Sequence, residues 1–239
     1  YEPSPPATQA KSEPRLSAPR ANRVEHLKQF YGSISRLAAA LDGGRVLWPC
    51  TGWMDWPERG VYFMMEPGEL RGGSRDNRIV RVGTHALIEG SKATLWGRLR
   101  QHRGYEDGGG NHRDSILRNH IGLAMCNRDG REPGTEEWAN RSSAPKEIRE
   151  AEAGWEHRVS RYIAPMIVLW VEIGDEPGPG SLRGVIERNS IALLTSAGRD
   201  VDPPSEHWLG HHAEAPEIRS SGLWNVNHVG EDYDPRFLD

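Results

Sequence analysis

A few polar residues stand at spacings that suit chemistry on a phosphate ester. Tyr62 follows Gly60 in a β-prone run, Arg98 and His102 are four residues apart, and Glu187 stands further along the chain. Residues four apart share one face of a helix, so Arg98 and His102 could point at the same phosphate. Hydrolysis of a phosphodiester needs an activated water, positive charge beside the phosphoryl oxygens and a stabilised leaving oxygen. Together these residue types meet those needs.

Each side chain has a specific chemical use in such a reaction. A tyrosine accepts or relays a proton near neutral pH when neighbouring cations stabilise its phenolate. Arg81, Arg98 and His102 are the candidate neighbours of Tyr62. A single carboxylate such as Glu187, together with waters and phosphate oxygens, is a normal way to hold Mg²⁺. The pattern predicts a base or proton relay beside phosphate-binding cations and one metal ligand.

The same residues also have plain structural explanations, which the sequence leaves open. Tyr62 could be an aromatic of the sheet core, and Arg98 with His102 an exposed, solvated pair. Glu187 could belong to a polar helix face, and Asn225 could cap a turn.

Composition excludes several classes of protein. The 239 residues carry a formal net charge of −4, so the overall charge indicates neither nucleic-acid nor membrane binding. Two cysteines cannot make a disulfide framework or a four-cysteine zinc site. The longest apolar run, Met166–Val171, is too short to span a bilayer, and we see no signal region. A cytoplasmic location without membrane contact is therefore expected.

Local charge is more informative than net charge. Between Arg71 and Arg118 there are ten Lys and Arg against five acidic residues. Such a basic patch predicts binding to a phosphate backbone. A basic face that serves only solubility is the alternative.

The elements that must position these residues follow from periodicity and breaker residues. Residues 1–21, rich in Pro and Ser, predict a disordered leader, 22–57 a helix with a linker, and 58–239 the main domain. Two strands joined by a long link precede three helices, a buried strand and a helix capped by Ser181. The strands are expected at 60–65, 78–82 and 166–171. The helices are expected at 93–102, 113–126, 145–162 and 181–196. The charged and β-branched residues of 78–82 alternate, as expected for a half-exposed strand.

In order and element type these motifs resemble the GIY-YIG endonuclease superfamily over roughly residues 58–230. The matching positions are Gly60-Val61-Tyr62, Val82-Gly83, the helix arginine Arg98, the metal-binding Glu187 and the late Asn225. His102 stands where some restriction endonucleases of the family have His or Arg. One position departs from the pattern, because Arg81 replaces the second tyrosine.

The resemblance implies a fold and an activity. The fold would be α+β, with a small three-stranded antiparallel sheet flanked by helices, an N-terminal helix and a C-terminal extension. The activity would be an endonuclease that uses Mg²⁺ or Mn²⁺ on double-stranded DNA, closest in kind to the restriction-type members. Enzymes of that sort commonly form a homodimer, because cutting both strands of a symmetric site needs two active sites.

The resemblance also assigns roles to residues. Tyr62 would be the base or relay, Arg98 would hold the scissile phosphate, and His102 would assist proton transfer or bind phosphate. Glu187 would bind the metal, and Asn225 would orient Tyr62 or the substrate. The expected substrate-binding residues are Arg81, His85, Arg100 and Asn189.

Two other functions remain open at this point. The replacement of the second tyrosine by Arg81 also suits a catalytically weakened nucleic-acid-binding module. A repair or mobile-element nuclease that reads DNA structure is the second alternative.

Overall fold

The computed structural model describes residues 20–72, 74–195 and 202–239, so the predicted leader lies almost wholly outside it. The helices and strands follow the predicted order closely. They are α1 Arg20–Ala40, β1 Arg45–Val46, β2 Gly60–Leu70, β3 Asn77–Gly83, α2 Leu95–Arg103, α3 Ile116–Asp129, α4 Lys146–Ile163, β4 Ile167–Glu172, α5 Leu182–Leu194 and α6 Pro216–Ser221, with 3₁₀ turns at Leu209–His212 and Pro235–Leu238. As predicted, the Ser181 side chain caps α5 by accepting a hydrogen bond from the Gly184 amide.

The strands form one antiparallel sheet in the order β1-β4-β2-β3. This confirms the α+β fold, but the expectation of three strands was wrong. The extra strand is β1, in which Arg45 and Val46 pair with Val168 and Ile167 of β4. Two residues are too short to show any periodicity, so the sequence pattern could not indicate this strand.

Helices cover both faces of the sheet. Along β2, Val61 and Phe63 pack on one face in a cluster with residues of α1 and α5. Tyr62 and Met64 pack on the other face, in a cluster with residues of α2, α3 and α4. Because side chains alternate along a strand, this double burial explains the uninterrupted apolar run of β2. Tyr62 therefore lies on the face that α2 covers.

The regular pairing of β2 with the end of β3 decides where Arg81 points, and the register shifts only beyond it. Tyr62 pairs with Gly83 and Met64 with Arg81, whereas the next partner of β2 is Ile79. Cross-strand partners lie on the same face, so Arg81 shares the face of Tyr62.

The prediction that β3 is half-exposed was wrong. Arg78 and Arg81 are 2% and 6% exposed, because both find buried partners. Arg78 donates to the Gly222 carbonyl and to Glu69, and Arg81 donates to the Trp224 carbonyl. Tertiary partners thus override the solvent exposure that alternating charges predict.

The C-terminal segment covers the free edge of β3. The Trp224 amide donates to the Val80 carbonyl at 2.6 Å. The Asn225 side chain donates to the Val82 carbonyl at 2.8 Å and accepts from its amide at 3.1 Å. These contacts satisfy an edge that would otherwise be unpaired, and they fix the backbone beside Arg81. In the described part of the chain no helix combines the length and apolarity needed to cross a bilayer.

Candidate active site

The centre of the site is a buried chain of three hydrogen-bonded side chains. The Tyr62 hydroxyl lies 2.8 Å from Nε2 of His102, and Nδ1 of His102 lies 2.7 Å from Oγ of Ser115. All three residues are fully buried. Ser115 is also the N-cap of α3, where its Oγ accepts from the Arg118 amide at 3.3 Å. These hydrogen bonds join Tyr62 on β2 to His102 in the last turn of α2, and His102 to Ser115 at the start of α3.

Gly83 makes room for the tyrosine. The Tyr62 hydroxyl and ring lie so close to Gly83 across the β2–β3 pair that a Cβ there would overlap both. Backbone φ is not the reason for glycine at this position, because the φ of Gly83 is not positive. The requirement is the close approach of an aromatic ring to the backbone.

His102 is held in its neutral form. Burial lowers its pKa well below the ordinary value, and the positive charges of Arg98, Arg81 and Arg118 lower it further. A neutral imidazole has one N–H donor and one acceptor nitrogen. His102 is therefore able to pass a proton between Tyr62 and Ser115.

A cleft of about 540 Å³ lies beside this chain, beyond β3. It is lined by Arg81, Arg98, Ile116, His120, Arg141, Glu187, Ile191, Ala215, Trp224, Asn225, Val226, Asn227 and His228. Residues from both faces of the sheet can meet there because β3 is an edge strand. The cleft brings together four of the residues expected from sequence: Arg81, Arg98, Glu187 and Asn225.

Arg98 is the half-buried cation of the α2 wall. Its guanidinium donates to Oε1 of Gln101 at 2.9 Å and to the Asp114 carbonyl at 3.5 Å. Arg98 makes no ion pair with the carboxylates of the described residues, so its charge is available to a ligand.

Glu187 reaches the cleft from α5. Its Oε1 accepts from the Thr84 amide, just past the end of β3, at 3.1 Å. Burial raises the pKa of Glu187, while the charges of Arg81, His228 and Arg98 and the Thr84 hydrogen bond oppose that rise. Within the described part of the chain no hydrogen bond involves Oε2, so one oxygen of this carboxylate is available.

Three predicted substrate-binding residues lie outside the cleft lining. His85 is buried, and burial lowers its pKa, although the hydrogen bond from its Nε2 to the Glu58 carbonyl at 3.2 Å opposes that shift. Arg100 is exposed and lines a separate cavity with Tyr105. Asn189 accepts from the Asp234 amide at 2.7 Å, in a third cavity under the C-terminal segment.

Asn225 has a positional role. Both ends of its amide are occupied by the Val82 backbone, as described above. It holds the edge of β3, and through the neighbouring Trp224 carbonyl it helps to hold Arg81.

Sequence reasoning missed Ser115, His120 and Arg141. Ser115 stands just before α3. A serine before an apolar helix indicates an N-cap, but the sequence does not indicate its contact with His102. His120 follows on the same helix one turn after Ile116, and Arg141 lies in an irregular loop. No local spacing connects these residues with Tyr62, so only the tertiary fold reveals them.

The predicted basic patch is smaller than its sequence suggests. Arg78, Arg113 and Arg118 are paired with Glu69, Glu152 and Glu156, respectively. These pairs neutralise buried charges between elements. Of the remaining basic residues of this stretch, Arg81 and Arg98 line the cleft.

The donor set of the cleft suits a hard divalent cation held by few protein ligands. In the described chain no cluster of three or more His, Cys, Asp or Glu could enclose a metal ion. Glu187 offers one free carboxylate oxygen, and Mg²⁺ commonly takes one or two carboxylates and completes its shell with waters and substrate phosphate oxygens. The residues present therefore fit Mg²⁺ or Mn²⁺ bound together with a phosphate ester.

The chain matches the GIY-YIG domain family over residues 21–239. The match spans most of its length, and the chain belongs to this family, which implies a nuclease. No curated protein and no solved structure gave a significant match.

Proposed function

We propose that the protein is a divalent-metal-dependent endonuclease that hydrolyses DNA phosphodiester bonds. The observation that carries the proposal is the hydrogen-bonded pair of Tyr62 and His102 next to a cleft with arginines and one carboxylate. The pair supplies a proton acceptor, and the cleft supplies the charges that a phosphate needs.

The buried chain can hold Tyr62 in the form that would act as the base. Tyr62, neutral His102 and Ser115 carry three O–H or N–H protons, but only two hydrogen bonds join them. Loss of one proton to solvent lets Ser115 donate to Nδ1, and the Nε2 proton of His102 then stabilises a Tyr62 phenolate. That phenolate takes a proton from the attacking water, whose oxygen bonds to phosphorus while the ester bond to the leaving oxygen breaks.

The cleft residues would act on the phosphate. Arg98 binds the scissile phosphate, and Arg81 adds positive charge beside Tyr62, although a guanidinium cannot accept a proton as a second tyrosine could. Glu187 would hold Mg²⁺, which when bound stabilises charge on the phosphoryl and leaving oxygens. Because Tyr62 is fully buried, water reaches its hydroxyl only when substrate binding shifts the cleft wall.

The same burial favours a second candidate function. A tyrosine with no exposed surface, together with Arg81 in place of a tyrosine, suits a weakened nuclease that binds nucleic acid without cutting it. Metal-dependent cleavage separates the two functions.

The test uses a panel of supercoiled plasmid, linear duplex and branched DNA with Mg²⁺ or Mn²⁺ and, in parallel, with EDTA. We expect cleavage that EDTA abolishes, with the ends identified by sequencing. Binding without cleavage on every substrate and with either metal would support the binding module instead.

A carboxylate variant tests the metal site. Glu187→Gln should lose cleavage that excess Mg²⁺ does not restore, and calorimetry should show weaker metal binding. Glu147→Gln, an exposed position in the first turn of α4, is the control. Unchanged metal affinity in Glu187→Gln would remove Glu187 as the ligand.

The finer proposal is a restriction-type enzyme that acts as a homodimer on a specific site. Ends confined to one sequence would support it, and cleavage confined to branches would support a structure-selective nuclease. The link at 66–77, the loop and helix start at 104–118 and the C-terminal extension are where target recognition would reside. Sedimentation of the protein with and without DNA measures the oligomeric state.

A further inference from the structure

The cations of the cleft have no carboxylate partner of their own among the described residues. Arg81, Arg98 and Arg141 make no ion pair within 4.0 Å to any residue that the structure describes. Elsewhere, buried arginines such as Arg78 and Arg118 do pair with carboxylates. Glu187 is the one acidic residue in the described lining of the cleft. The cleft thus has an excess of positive charge that an anionic ligand would neutralise.

The charges of these cations act on two different histidines. The charges of Arg98 and Arg81 act on His102, next to the proposed base. The charges of Arg81 and Arg141 act on His120, on α3, against the opposing charge of Glu217. Arg81 therefore acts on both histidines, whereas Arg98 lines the cleft from α2, His120 from α3 and Arg141 from the loop that follows α3.

The second of these histidines has an unsatisfied polar atom. Nε2 of His120 is buried and has no hydrogen-bond partner among the described residues. Among the described residues, the Arg141 guanidinium makes one hydrogen bond, to the Arg113 carbonyl at 3.4 Å. Because both side chains line the cleft, a phosphate oxygen there would accept from the Nε2–H tautomer of His120 and from the Arg141 guanidinium.

We propose that His120 and Arg141 bind the phosphate that neighbours the scissile phosphate on the cleaved strand, with Arg81 between the two. This inference rests on the proposed nuclease function and deepens it. His120 contributes a hydrogen bond, and Arg141 contributes charge. The two phosphates together would set the register of the strand over Tyr62.

Salt dependence of DNA binding gives the first test. Binding of a fluorescent 30-bp duplex is measured in EDTA across a salt series, and each lost phosphate–arginine contact lowers the log–log slope by about one. We expect that decrease for Arg141→Ala and an unchanged slope with weaker binding for His120→Gln. Arg149→Ala, an exposed position on α4 away from the cleft, is the matched control of equal charge.

A neutral phosphate locates the contact. Once the cleaved bond is known, single methylphosphonates are placed at the neighbouring phosphates. Wild type and Arg149→Ala should lose affinity at one of them, and Arg141→Ala should be insensitive there. If wild type cleaves DNA but Arg141→Ala and His120→Gln match the Arg149→Ala control in both assays, this inference fails and the nuclease proposal stands. If wild type binds no DNA, both fail.

Discussion

The Tyr62 hydroxyl lies 2.8 Å from Nε2 of His102, and neither side chain has exposed surface. The two residues stand 40 positions apart in sequence, and the α2 helix brings them together over β2. Arg98, one turn earlier on α2, faces the cleft instead. One short helix thus carries both the partner of the proposed base and the cation proposed to bind the substrate.

The first prediction concerns Ser115. Its hydroxyl accepts a hydrogen bond from the Arg118 amide at the α3 N-terminus and lies within hydrogen-bond distance of His102 Nδ1. Ser115→Ala should lower cleavage about tenfold, the effect expected for losing one hydrogen bond in a buried chain. It should also shift the pH–rate profile, because His102 loses the partner that selects its tautomer. Ser115→Thr keeps a hydroxyl and should recover most of the activity.

Ser181→Ala is the control for loss of a helix cap alone, because Ser181 caps α5 in the same way. Each alanine variant should lose about 1 kcal/mol of stability, but only Ser115→Ala should change the pH profile. Identical profiles for both variants would show that Ser115 acts only as a cap.

The second prediction concerns Gly83. Gly83→Ala places a methyl group where the Tyr62 ring lies, so the ring must move from His102. We expect a loss of about 1–3 kcal/mol in unfolding free energy, typical of overpacking, with cleavage at least tenfold lower. Gly174→Ala is the control, because a Cβ there meets no atom within 4 Å. Wild-type stability and activity in Gly83→Ala would contradict the described contact.

The third prediction concerns Arg81, where the chain departs from the family pattern. Arg81→Ala should lower the cleavage rate at least tenfold, because it removes a charge from the cleft and leaves the Trp224 carbonyl without its donor. Arg81→Lys keeps the charge, and Arg81→Tyr restores the family residue, so Arg81→Tyr should retain more activity than Arg81→Ala. Near-wild-type rates for all three would place Arg81 outside the active site.

The fourth prediction concerns the pH dependence of stability. Burial, helped by the charges of Arg81 and Arg141 and opposed by Glu217, lowers the pKa of His120 to about 4. As pH falls below the ordinary value near 6.5, the unfolded chain takes up this proton first, so His120 costs stability between about pH 6.5 and 4. Denaturation at several pH values should show wild type losing stability relative to His120→Gln across that range. Parallel curves would contradict the burial of His120.

Much of this site could be predicted because its motifs are local. Tyr62 in an apolar strand and Arg98 with His102 on one helix are readable from spacing, and Gly83 follows from the same family motif. Glu187 also reaches the cleft. The family match confirms the resemblance that carried these residues.

The rest depends on contacts between distant segments, which spacing does not encode. Arg81 suggests exposure by alternation, yet its pairing places it on the covered face of Tyr62, where it donates to the Trp224 carbonyl. Ser115 meets His102 only because α3 starts beside the end of α2. Asn189 follows Glu187 by two positions, so the helix turns it toward the Asp234 amide and away from the cleft.

The central claim is that Tyr62 takes the proton from the attacking water, and one substitution tests it directly. Tyr62→Phe removes the hydroxyl and keeps the ring, and its single-turnover cleavage is compared with wild type on the same DNA with Mg²⁺. Tyr105→Phe, at an exposed tyrosine away from the cleft, is the control. We predict a rate at least about 100-fold lower for Tyr62→Phe, with unchanged DNA binding. Cleavage by Tyr62→Phe at the wild-type rate would contradict the assignment of Tyr62 as the base.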